Sequence, residues 1–128
     1  MERVRFLEHR GQKVLLIDFR QLDAGQMLAV VDRVRQIITA QPRDSVLALA
    51  DYTGANMDRQ VATRIREVLV FDRPYVKRSA WVGVEHLPKA YYESFRMFSR
   101  RDFPTFRSRE EALEWLVNEE AASLAPPA

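Results

Sequence analysis

The sequence predicts an α/β fold: an N-terminal β-hairpin followed by repeated βα units, forming a mostly parallel five-stranded sheet with about four helices. Three observations carry this. Short β-rich runs alternate with longer stretches of helical periodicity after residue 20. Two of the runs, Val14-Leu15-Leu16-Ile17 and Val46-Leu47-Ala48-Leu49-Ala50, are continuously apolar, as strands covered on both faces must be. The first two runs are separated only by a short Gly11-containing loop, which reads as a hairpin.

The elements follow in order. Val4–Glu8 and Lys13–Phe19 form the hairpin. Asp23 is placed to cap the next helix, with Gln26 as its capping-box partner. Met27, Val31, Val34 and Ile38 recur at helical spacing, and Pro42 ends that helix. Val46–Ala50 is the third strand. A helix from about Asp58 to Asp72 carries Val61, Ala62, Ile65, Val68 and Leu69 on one stripe, closed by Pro74. Tyr75–Val84 reads as strand four. Pro88 suits the first turn of an aromatic helix containing Tyr91, Tyr92, Phe95 and Phe98. Pro104 assigns the short Phe103–Phe106 run to a sheet edge. Ser108 and Glu111 form a capping box for a last helix that buries Ala112, Leu113, Leu116 and Trp115. Residues 1–120 are expected to form one domain and residues 121–128 a disordered tail.

The chain has 128 residues, 47% of them hydrophobic and 30% charged, with no cysteine. This is the size and composition of one globular domain, without disulfides, thiolate metal sites or cysteine nucleophiles. The N-terminus lacks the apolar segment of a signal peptide, and no run reaches the length of a membrane span, so the expected location is the cytoplasm. Net charge is only +2, but the bases cluster. One group is Arg59, Arg64, Arg66, Arg73, Lys77 and Arg78; another is Arg96, Arg100, Arg101, Arg107 and Arg109. Solvated helix faces and local ion pairs account for most such clusters. The small net charge and the lack of a recognition motif argue against nucleic acid.

No catalytic signature is present. Phosphate-loop and nucleophile-elbow motifs are missing, and His9 and His86 have no partners at metal-ligand spacing. The expectation is therefore a non-enzymatic protein with no metal and no cofactor. The most informative segment is Asp51-Tyr52-Thr53-Gly54-Ala55-Asn56, where a buried strand breaks into polar residues before a helix. Open α/β sheets place ligand sites at that carboxyl edge. Asp51, Tyr52, Thr53, Gly54 and Asn56 are thus candidate ligand-binding residues, as is Lys77 at the start of strand four. Asp51, Thr53 and Asn56 also suit a simple turn and helix cap. The aromatic positions Trp81, Tyr91, Phe95 and Phe98 suit either core packing or the lining of an apolar cavity.

In the order and spacing of four stretches the chain resembles the SpoIIAA-like group of the STAS domain superfamily over nearly its whole length. These are the hairpin Val4–Phe19, Leu49-Ala50-Asp51-Tyr52-Thr53-Gly54-Ala55, Arg73–Val84, and Ser108–Leu116. The resemblance implies a single STAS/SpoIIAA-like domain. In anti-anti-sigma members the third-strand junction reads Asp-x-Ser-Gly and then Asp-Ser-Ser-Gly, whose serine is phosphorylated to switch partner binding. Asp51-Tyr52-Thr53-Gly54 looks like the first half. In the second half Asp58 is followed by Arg59 and Gln60, so the phosphoacceptor is missing. Similarity of some members to CRAL-TRIO lipid carriers implies an apolar ligand. The expected function is a binding or regulatory module taking a small molecule or protein partner at the edge after strand three. The alternative is a carrier of a lipid-like ligand or a binder of membrane surfaces. An exposed first strand or aromatic helix would suit a homodimer.

Overall fold

The structure, a computed structural model, describes residues 2–99 and 104–118. The order is β1 (Val4–His9), β2 (Gln12–Asp18), α1 (Ala24–Ile38), β3 (Val46–Asp51), α2 (Arg59–Asp72), β4 (Val76–Val82), a 3-10 turn (Val84–His86), α3 (Lys89–Ser99), β5 (Thr105–Phe106) and α4 (Arg109–Val117). The strands form one sheet in sequence order, β1-β2-β3-β4-β5. The β1–β2 pair is antiparallel, and β2–β3, β3–β4 and β4–β5 are parallel. The βα reading is thereby correct, including β5 as a short edge strand after Pro104. The expected tail, residues 121–128, lies outside the described residues.

The topology dictates which face each helix covers. Parallel strands added in one direction with right-handed crossovers place every connecting helix on the same side. The apolar stripe of α1 (Met27, Val30, Val31, Val34, Ile38) and that of α2 (Val61, Ala62, Ile65, Val68) pack with Leu15, Ile17, Ala48, Ala50 and Trp81 on that side, joined by Phe95 of α3. Because α4 follows the last strand, it is free to cover the other face. There Ala112, Leu116 and Val117 meet Val14, Leu16, Leu47, Leu49, Ala80 and Val82. Strand side chains alternate, so β2 and β3 supply both cores from consecutive residues.

Local signals agree with the caps. The Asp23 carboxylate accepts from Gln26 N at 2.8 Å while Gln26 Oε1 accepts from Asp23 N at 3.0 Å. The Ser108 hydroxyl accepts from Glu111 N at 3.2 Å. The carboxyl end of α4 is tied down by Arg78, whose Nε and Nη2 both donate to Leu116 O, and by Gln12, which donates to Val117 O. Strand four is shorter than the Tyr75–Val84 expectation. Gly83, at φ +76°, turns the chain, and Val84 opens the 3-10 turn.

A closed carboxyl rim and the cavity beneath it

The strand ends converge at the rim of the sheet beside Asp51–Asn56. Asp18 and Asp51 end neighbouring strands in register, and both are buried. Asp51 Oδ1 accepts from Thr53 N at 3.0 Å and from Thr53 Oγ1 at 2.7 Å. Its Oδ2 accepts from Arg109 Nε at 2.7 Å. The same guanidinium lies 3.3 Å from Asp18 Oδ1 through Nη2. Arg20 donates to both Asp18 oxygens, at 3.1 Å each, and to Oδ1 again through its backbone N–H. Burial opposes ionisation of Asp18, but the hydrogen bonds from Arg20 and the charges of Arg20 and Arg109 outweigh it and hold its carboxyl below the usual range.

Backbone hydrogen bonds seal the loop between its neighbours. Phe19 N donates to Asp51 O, Gln21 N to Thr53 O, Tyr52 N to Val82 O and Asn56 N to Leu22 O, at 2.8–3.1 Å. Gly54 has φ +69° and lies under the Gln21 side chain. A Cβ at Gly54 would fall 2.3 Å from Gln21 Nε2. Gly83 abuts Thr53 so closely that a Cβ would sit 2.5 Å from its backbone nitrogen.

Two expectations for this rim change. The cap of α2 is Asp58, which accepts from Val61 N at 2.9 Å, and not Asp51, Thr53 or Asn56. Four residues separate Gly54 from the first helical residue, so the turn and the helix start are distinct. Lys77 lies far from the rim. β3 and β4 run parallel, with Asp51 opposite Val82, so Lys77 stands five residues back at the amino edge, about 16 Å away at the rise of a strand. It is exposed there. Asn56 is exposed at the rim, as are Arg59 and Gln60, which occupy the phosphoacceptor positions of the resemblance.

Tyr52 points the other way, into the helix-side core. It stacks on Phe19 with centroids 5.0 Å apart and tilts against Trp81 at 4.8 Å. Trp81 in turn meets Tyr92 at 5.7 Å and the edge of Phe95 at 5.8 Å. Tyr92 therefore faces the core with Phe95. Burial pushes the Tyr52 hydroxyl up, and Tyr92 adds to this.

Beside this aromatic row lies a cavity of about 60 Å³ between the sheet and helices α1 and α2. Its wall includes Ala48, Ala50, Tyr52, Val34, Ile65 and Trp81, with Asp72 and Ser79 as its polar members. Of the four expected cavity residues, Trp81 lines it. Tyr91 and Phe95 do not; Phe95 backs Trp81, and Tyr91 packs half-buried at the border of the same core. The Phe98 side chain lies outside the described residues.

Searches of family models and of curated proteins found no match. Among solved structures, the chain is similar to an uncharacterized protein of the DUF3478 family with a SpoIIAA-like fold from Shewanella loihica PV-4. The TM-score is 0.67 over 88% of this chain and 91% of that one, at 16% identity. This chain has a SpoIIAA-like fold. At that identity the likeness establishes the architecture, in agreement with the sequence resemblance. Among the described residues no helix is long and apolar enough to cross a membrane.

Arg109 was not singled out as a site residue from sequence, where it reads as one of a cluster of bases and as a member of the first turn of the last helix. A signal existed. Asp18 and Asp51 each end a buried strand, and buried acids require a base. Arg109 is also a base at a helix start, where the dipole disfavours it unless acids are present.

Proposed function

We propose that the protein is a non-catalytic binding module of the STAS type that takes a small apolar ligand in the cavity between the sheet and α1/α2, beside Tyr52 at the end of strand three. The observation that carries this reading is the cavity itself: a nearly all-apolar wall in the middle of the domain, with Trp81 and Tyr52 on one side. Ligand pockets have this character, apolar walls with a few placed polar groups, a part that Asp72 and Ser79 suit. At about 60 Å³ it is smaller than the ~150 Å³ apolar cavity that admits benzene. Binding of anything beyond a methylated chain tip therefore involves separation of α1 from α2, a minor state that the ligand stabilises.

The rim supports a non-catalytic role. Both rim carboxylates are committed to arginines and to Thr53, and Lys77 is at the opposite edge, so Asp51, Thr53 and Lys77 do not assemble into a catalytic group. The test is mass spectrometry of gently purified protein together with thermal denaturation in short-, medium- and long-chain fatty acids. A ligand that binds only the native state raises the melting temperature. An unchanged melting temperature throughout, with no co-purified apolar compound, would refute the reading.

A protein partner at the strand-three edge is the second reading, supported by the exposed group Asn56, Arg59 and Gln60. It requires that Arg59→Glu abolish capture of that partner without altering fatty-acid binding.

A further inference from the structure

We infer that the amino edge of the sheet, on the side of α1–α3, docks on an anionic membrane surface. This rests on the apolar-ligand reading, because it names where such a ligand would be delivered. In a parallel βα sheet every connecting helix returns to the amino edge, so the carboxyl ends of α1, α2 and α3 lie there together. Specific contacts fix this end. Arg35 of α1 lies over the ring of Phe71 in α2, 4.4 Å from its centroid. Arg66 of α2 donates to Ser94 of α3 at 3.1 Å, and Val70 and Met97 each lie about one turn beyond that contact toward the same edge. The α1–β3 loop joins them, with Asp44 N and Ser45 N donating to Pro74 O and Tyr75 O.

Large exposed apolar side chains concentrate at this end. Among the described residues, Val70 (53% exposed), Phe71 (53%) and Met97 (74%) are the large hydrophobics open to solvent. Exposed Arg35, Arg43, Arg73 and Arg96 lie on the same helix ends and loops, with Asp44, Glu67 and Glu93 as the exposed acids nearby in sequence; Glu67 and Glu93 lie 3.9 Å from Arg64 and Lys89. Apolar side chains with bases on the same helix ends suit the boundary of an anionic bilayer: the side chains enter the headgroup region while the bases meet lipid phosphates and carboxylates. Nucleic acid would be matched by the bases but not by an exposed valine and methionine. The cavity wall also reaches this edge through Ile38, Leu69 and Val76, so a chain leaving the bilayer would meet it directly.

Flotation of the whole protein with phosphatidylcholine vesicles, with and without phosphatidylserine, tests the inference. Binding should require phosphatidylserine and weaken as salt rises. The double variant Arg43→Glu/Arg73→Glu should weaken it at least about tenfold. Val70→Ser/Phe71→Ser should also weaken it, whereas Arg59→Glu, at the opposite end of α2, should not. Absence of binding to the anionic vesicles, or equal binding by all variants, would overturn the inference. So would binding to a DNA or RNA oligonucleotide with the same variant dependence and no vesicle binding. Ala48→Val, which fills the cavity, separates this idea from the ligand reading: it should abolish fatty-acid uptake and leave vesicle binding intact.

Discussion

Asp18 and Asp51 stand in register on adjacent parallel strands, and one guanidinium, that of Arg109, bridges them from the start of the helix on the opposite face of the sheet. This contact joins the hairpin, the central strand and α4 at the rim where the functional turn was expected. It makes the rim a structural lock, and for that reason the ligand site proposed above lies in the interior.

Removing the bridge by Arg109→Met leaves Asp51 with Thr53 alone and Asp18 with its other arginines. With the Arg109 side chain 24% exposed, part of the loss is recovered by water, and the expected destabilisation is about 1–3 kcal/mol. Urea denaturation measures it. Arg109→Lys should fall between, because an ammonium keeps the charge but loses the planar fork.

Acid should weaken the same lock. Asp18 has a folded-state pKa below its ordinary value of 3.8, so its contribution is fully present above the unfolded value and is lost as pH falls through the folded one. The urea midpoint should therefore drop below about pH 4. In Asp18→Asn that acid limb should be shallower. An identical pH profile in the two proteins would remove Asp18 from the account.

Gly83 and Gly11 have the same φ of +76° but opposite surroundings. Gly11→Ala meets nothing within 4 Å, so only backbone strain remains, about 1 kcal/mol. Gly83→Ala also drives a methyl into Thr53, and should cost roughly 1–3 kcal/mol more through displacement of the rim turn. Thermal melts of the two variants compare them directly.

The sheet and its helices were legible in the sequence because their signals are local or periodic. The apolar runs of β2 and β3, the stripe of α1 and the Asp23–Gln26 capping box each lie within a few residues. The rim was legible only as a place. What occupies it depends on contacts such as Asp51–Arg109, which are 58 residues apart and leave no periodic trace. The separation of Lys77 from the rim has a similar origin. Sequence placed it correctly at the start of a strand, but its distance from Asp51 follows from the parallel register. The cavity was foreshadowed at Trp81 and misplaced toward α3, because the aromatic helix is more conspicuous than the small side chains of Ala48 and Ala50 that leave the space open.

Filling that space is the next test. Ala48→Val adds a β-branched side chain suited to a strand and occupies much of the 60 Å³ void. At about 24 cal/mol per Å³, the protein should gain up to about 1 kcal/mol of stability. Its melting temperature should then no longer respond to fatty acids.

The most direct measurement uses the emission of Trp81, which lines the cavity. The chain has two tryptophans, and the second, Trp115, packs beside Phe106 at the α4 face, so Trp115→Phe isolates Trp81. Titration of this variant with a medium-chain fatty acid is expected to give a saturable change in Trp81 emission that Ala48→Val abolishes. No change, or the same change with Ala48→Val present, would contradict an apolar ligand site between the sheet and α1/α2.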